Sequence, residues 1–177
     1  ISSQKHKVFS SKAPKPEDKT LDFWFEYFVI EELAEIRLEI LSTMSGVMQK
    51  LALVAFSSII VAVSKQDSDT RYVRRNKNIK PGDTFRRYSR AIRDAIRTAV
   101  EFSEIAEDRF SCLVQNANIL HTPDIPKFDL IVCSPPYPNA FSYHLYHRTR
   151  MLWLEMDNAT FKREEIGSHR KYSKRGN

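Results

Sequence analysis

Glycine is scarce in this chain: four residues in 177 (Gly46, Gly82, Gly167 and Gly176), about 2% where average usage is roughly 7%. The closest two stand nine apart in a basic tail, so no G-x-G-x-x-G or Walker loop can be drawn, which excludes a self-sufficient nucleotide- or dinucleotide-binding domain. Cysteine is scarcer still. Cys112 and Cys133 are too few for a disulfide framework or a cysteine-based zinc site and suit a reducing, cytoplasmic compartment. No signal peptide is visible in the polar, lysine-rich first twenty residues. The longest uncharged run, Leu51 to Val63, has thirteen residues against the roughly 20 that a bilayer span needs, so it reads as a buried core helix and no membrane partner is expected. The first residue is isoleucine, and the chain reads as a fragment of a longer one.

What is present is ordinary globular material: 42% hydrophobic and 28% charged residues with a net charge of +6, enough for one domain with a real core. Residues 1–20 mix Ser, Lys and Pro without periodicity and read as a flexible lead-in. A helical block follows over 21–108. Val29, Leu33, Ile36 and Ile40 recur at helical spacing, with Glu31, Glu32, Glu35 and Glu39 on another face. The aromatics between Phe23 and Phe28 read as core. Residues 64–82 are polar, basic and turn-rich, which predicts a surface loop. Pro81-Gly82-Asp83-Thr84 then signals a helix start with Asp83 or Thr84 as cap. In the long helix that follows, Phe85, Tyr88, Ile92, Ala95, Ala99, Phe102 and Ala106 line one face and Arg86, Arg90, Arg93 and Arg97 another.

Residues 109–160 change character. Phe110–Val114 and Phe128–Cys133 predict buried strands, and Phe141–Met156 a helix; 161–177 is a basic tail. The second strand runs into Ser134-Pro135-Pro136-Tyr137. Ligands of open α/β sheets bind just beyond the carboxyl ends of strands. Two successive prolines fix two φ angles and remove two backbone donors, leaving an acceptor-rich corner beside an aromatic ring. Such a corner suits an amino group on a flat heteroaromatic ring.

With its preceding FDLIVC, this SPPY resembles the signature of the amino-methylating DNA methyltransferases, (Asp/Asn/Ser)-Pro-Pro-(Tyr/Phe/Trp) at a strand end. The resemblance extends over about Leu21 to Met156, through Asp22-Phe23-Trp24-Phe25, Ala55 to Ile60, Thr70-Arg71-Tyr72, Tyr143, His147, Arg148 and Leu152-Trp153-Leu154, although SPPY alone is sharply diagnostic. It implies that Ser134 and the Pro135 carbonyl accept the hydrogens of an exocyclic amine, that Tyr137 stacks on a base flipped out of the duplex, and that Pro136 stiffens the corner. It also implies S-adenosylmethionine as methyl donor, with cytosine N4 favoured over adenine N6 because serine opens the motif.

The chain departs from this pattern at two places. The family's Asp-Pro-Phe-x-Gly-x-Gly cofactor loop is absent and is expected upstream or in a partner chain, so the isolated fragment should be inactive. Gln115-Asn116 stands where relatives carry Gly-Asp; Asn116 can still accept from the cofactor's adenine amine, or is a plain strand-end asparagine. The resemblance predicts a partial Rossmann-like α/β methyltransferase sheet, with the helical block N-terminal to the SPPY strand. Cys133 precedes the motif and reads as a small core residue rather than a nucleophile.

Between Arg71 and Arg97 ten Lys/Arg face two acids, a local +8 that leaves the remainder of the chain at −2. Eight of the ten are arginine, which suits bidentate phosphate contacts. Arg71, Arg74, Arg75, Arg86, Arg90 and Arg93 are the DNA-binding candidates, and Tyr72 among them can stack or simply pack. His144 and His147, one helical turn apart, lack a third ligand at matching spacing, so no metal site is expected. Glu165-Ile166-Gly167 can form a turn near the site. The expected partners are DNA and the rest of a methyltransferase or a restriction subunit. A non-catalytic DNA-binding or assembly module is the alternative.

Overall fold

The computed structural model describes residues 9–106, 111–118, 121, 127–134 and 142–167. In chain order the elements are helices α1 (Leu21–Trp24), α2 (Tyr27–Thr43) and α3 (Gly46–Val63), a short antiparallel pair, β1 (Gln66–Ser68) and β2 (Arg71–Arg74), and helices α4 (Asp83–Ile105), α5 (Tyr143–Tyr146), α6 (Arg148–Trp153) and α7 (Asn158–Glu164). The protein is mixed α/β and mostly helical.

The helical block forms where the apolar spacing requires it. Val29, Leu33, Ile36 and Ile40 of α2 pack on Ala52, Phe56, Ile59, Ile60 and Val63 of α3, all buried. Trp153 from α6 is fully enclosed and meets Phe25 and Phe56 edge-on, at ring separations of 5.9 and 6.3 Å. The quadrupoles of the rings favour such T-shaped contacts. By length and composition α3 could cross a bilayer, yet here it packs against α2, α4, α6 and β1. Among the early aromatics, Trp24 and Phe25 are buried while Phe23 and Tyr27 are exposed.

Several expectations are corrected. Residues 9–20 are strapped onto the body: Ser11 N donates to Glu31 at 2.7 Å, Lys15 pairs with the same carboxylate at 2.8 Å, and Phe9 meets Phe85 edge-on. Glu31 and Glu32 are accordingly buried, not solvated. The predicted loop at 64–82 contains the β1–β2 hairpin, with Gln66 opposite Arg74 and Ser68 opposite Arg71. The cap of α4 is Gly82 rather than Asp83 or Thr84, and its φ of +85° lies in the left-handed region that favours glycine. The predicted helix over 141–156 is divided into α5 and α6 in its described part.

The larger correction concerns the sheet. The pair β1–β2 is the sheet among the described residues, and a Rossmann-like parallel sheet is not shown. Residues 111–114 and 127–133 carry no strand, and Leu113, Val114, Leu130, Ile131 and Val132 are all more than three-quarters exposed. Cys133 is exposed rather than core. The physical reason is pairing: an apolar strand satisfies its backbone and covers its faces only inside a sheet, and no such neighbour stands among the described residues.

Candidate functional site

The arginines predicted to meet DNA divide by what already holds them. On and after β2, Arg71 and Arg75 each lie 3.2 Å from the one carboxylate of Asp67. Arg74 donates through Nε to the Phe23 carbonyl and sits 5.1 Å from the centre of the Phe23 ring. On α4, Arg86 pairs with Asp83 and Arg97 with Asp94. Arg87, Arg90 and Arg93 have no acidic partner among the described residues and are exposed.

Lys77 connects the two groups. Its ammonium donates to the Val61 carbonyl at 2.6 Å. Burial lowers its pKa; Asp67 and Asp69 oppose the shift, while the charges of Arg87 and Arg75 add to it. It therefore feels cations of α4 and of the hairpin together. Tyr72 packs: its ring lies 4.6 Å from that of Trp24, and burial pushes its hydroxyl pKa up.

The hairpin is tied to the C-terminal helices through Gln66, which is fully buried. Its amide donates to Ser68 O and Tyr146 O, and its carbonyl accepts from Thr149 at 3.0 Å. Arg150 adds a pair with Asp69 at 2.7 Å and donates to Ser57 O. The segment from α5 to α6 is thus held to the hairpin at one end.

Its other end is clamped by the region of α7. The buried carboxylate of Glu165 accepts from Tyr143 N and lies 2.5 Å from His144 Nδ1, and Asn158 donates to His144 O at 2.7 Å. A four-residue helix such as α5 does not form unaided, because nucleation fixes several residues for one hydrogen bond. His144 Nε2 is buried and finds no partner. His147 stacks on Tyr143, and burial, followed by the Arg150 charge, lowers its pKa. Among the described residues no group of three His, Cys, Asp or Glu side chains could hold a metal.

Ser134 is exposed; Pro135, Pro136 and Tyr137 lie outside the described residues. Asn116 and its whole described stretch, 111–118, are exposed. Sequence reasoning did not find Gln66 or the role of Glu165. The turn signal at Glu165-Ile166-Gly167 pointed to a bend, with Gly167 at φ +80°, but not to the carboxylate's task. The chain matches no protein-family model, no curated protein and no solved structure.

Proposed function

We propose that this chain is the amine-binding and DNA-contacting part of an S-adenosylmethionine-dependent DNA amino-methyltransferase, acting on cytosine N4 in preference to adenine N6. The reading is carried by one observation, the apolar run FDLIVC leading directly into Ser134-Pro135-Pro136-Tyr137. In this reading the Ser134 hydroxyl and the Pro135 carbonyl accept the two amine hydrogens and so aim the nitrogen lone pair, and Tyr137 stacks on the base. Positioning of this kind supplies much of the acceleration in a direct transfer. Arginines of the hairpin and α4 hold the duplex by its phosphates. Because the sequence carries no Gly-rich cofactor loop, most of the cofactor's binding is assigned to protein outside this chain, with Asn116 left to accept from its adenine amine.

Transfer of labelled methyl groups to DNA by the full-length protein tests this. Ser134→Ala and Tyr137→Ala should each abolish transfer while leaving DNA binding in place; transfer at the wild-type rate in both variants overturns it. A second reading, a DNA-binding or assembly module without catalysis, is favoured by the absence of a Gly-rich cofactor loop in the sequence. It predicts DNA binding with no methyl transfer by the full-length protein.

A further inference from the structure

A groove of about 660 Å³ lies between α3 and α4. Its floor is aliphatic, including Ala55, Ile59 and Ala91, and its α4 wall carries Arg86, Arg87 and Arg90. The two acids that also line it, Asp83 and Asp94, are neutralised by Arg86 and Arg97. Arg87 and Arg90 line the groove in no ion pair of their own, although the Asp83 carboxylate feels the Arg87 charge, and Lys77 is close enough to Arg87 to feel it too.

We infer that this groove seats one sugar–phosphate strand of DNA, with Arg87 and Arg90 on successive phosphates and deoxyribose faces against the aliphatic floor. The inference rests on the proposed DNA partner and goes beyond it in naming the contact surface and the unassigned Arg87. A backbone strand alternates anionic and apolar groups, and the groove offers both complements side by side. Arg71 and Arg75 share Asp67, so a phosphate must displace a carboxylate before it gains either of them. Arg87 and Arg90 are in no ion pair, so they exact a smaller cost, and their phosphate contacts release condensed counterions.

The test is the salt dependence of binding to a short labelled DNA duplex, followed by anisotropy with the full-length protein. Each phosphate contact contributes about 0.9 to the slope of log K against log salt, so Arg87→Gln with Arg90→Gln should lower the slope by about 2. Arg71→Gln with Arg75→Gln should lower it by less than half as much, and Lys50→Gln, exposed at the far end of α3, should not move it. Ser58→Glu, an exposed position on the α3 wall, should weaken binding by adding an acid opposite the arginines. An unchanged slope in the Arg87/Arg90 variant, with the wild type binding DNA, overturns the groove and spares the DNA reading. Full displacement of the duplex by polyglutamate at equal charge concentration also overturns it, by pointing to an acidic protein segment. A wild type that binds no duplex overturns both.

Discussion

The carboxylate of Glu32, in the middle of α2, lies 2.5 Å from the backbone nitrogen of Gly82 and 3.2 Å from that of Thr84, so that a buried acid of one helix caps the start of another. The first N–H groups of a helix have no partner within it. Gly82 offers no side chain to accept them, and Asp83 turns its own carboxylate back to Lys80 N. Glu32 fills the gap and fixes α4 against α2.

Removing that acceptor should therefore be costly. Glu32→Ala leaves two donors, one of them at the buried Thr84, and is expected to destabilise the protein by about 1–3 kcal/mol. Glu39→Ala, on the exposed side of the same helix, should stay within about 0.5 kcal/mol of wild type. Urea unfolding compares the two, and equal losses would remove the distinction between them.

Gln66 makes a second prediction. Its three side-chain hydrogen bonds reach Ser68 at the end of β1, Tyr146 at the end of α5 and Thr149 in α6. Gln66→Leu keeps the volume but removes the hydrogen bonds to Tyr146 O and from the Thr149 hydroxyl. The expected loss is about 1–3 kcal/mol for each hydrogen bond so removed. Because Gln66 links the hairpin to the helices, amide exchange should quicken in β1–β2 and α6 together. Quickening confined to the hairpin would show that the link is not mechanical.

Acid should weaken the fold in two stages. His147 has a pKa lowered by burial and by Arg150, so the unfolded chain binds the proton first; stability is intact above the ordinary value of 6.5 and declines as pH falls below it. Burial works against ionisation of Asp18 and Glu31, yet hydrogen bonds from Thr20 to Asp18, and from Lys15 and Ser11 to Glu31, together with nearby cations, hold both carboxyls below their ordinary values of 3.8 and 4.5. Asp83 is lowered by Lys80 N–H and Arg86. Their contribution is present above those ordinary values and is lost as pH drops through and below them. The thermal midpoint should slope gently from about pH 7 to 5 and steeply below about pH 4.5, and His147→Gln should flatten the gentle limb alone.

Periodicity made much of the helical block legible. The residues Val29, Leu33, Ile36 and Ile40 share one face by spacing alone, and the uncharged run from Leu51 supplies Ala52, Phe56, Ile59, Ile60 and Val63 to the same core. Glu31 and Glu32 were illegible because their partners lie at Ser11, Lys15, Gly82 and Thr84, and only the tertiary fold brings those donors to the acids. Gln66 was hidden in a polar run for the same reason. At the candidate site, SPPY is a local chemical pattern and needs no long-range information to be noticed. The burial of 111–114 and 127–133 did not follow from their hydrophobicity, since covering an apolar strand depends on neighbours that those residues do not encode.

Glu165 gives the last prediction. One carboxylate oxygen accepts from Tyr143 N, the first backbone donor of α5, and the other holds His144 Nδ1, so one side chain fixes both the helix start and the imidazole tautomer. His144 Nε2 is buried without a partner, so the ring is held on the Glu165 side alone. Glu165→Ala should cost about 1–3 kcal/mol for each of the two hydrogen bonds removed and weaken exchange protection at the Tyr143 amide. Glu165→Gln keeps an acceptor for Tyr143 N but turns an N–H₂ toward His144, which drives the imidazole hydrogen from Nδ1 to Nε2. It should restore the Tyr143 protection while shifting the ¹⁵N signature of the ring to the other tautomer. A Tyr143 amide that stays protected in Glu165→Ala would mean that α5 is held by Asn158 and Gln66 without the acid.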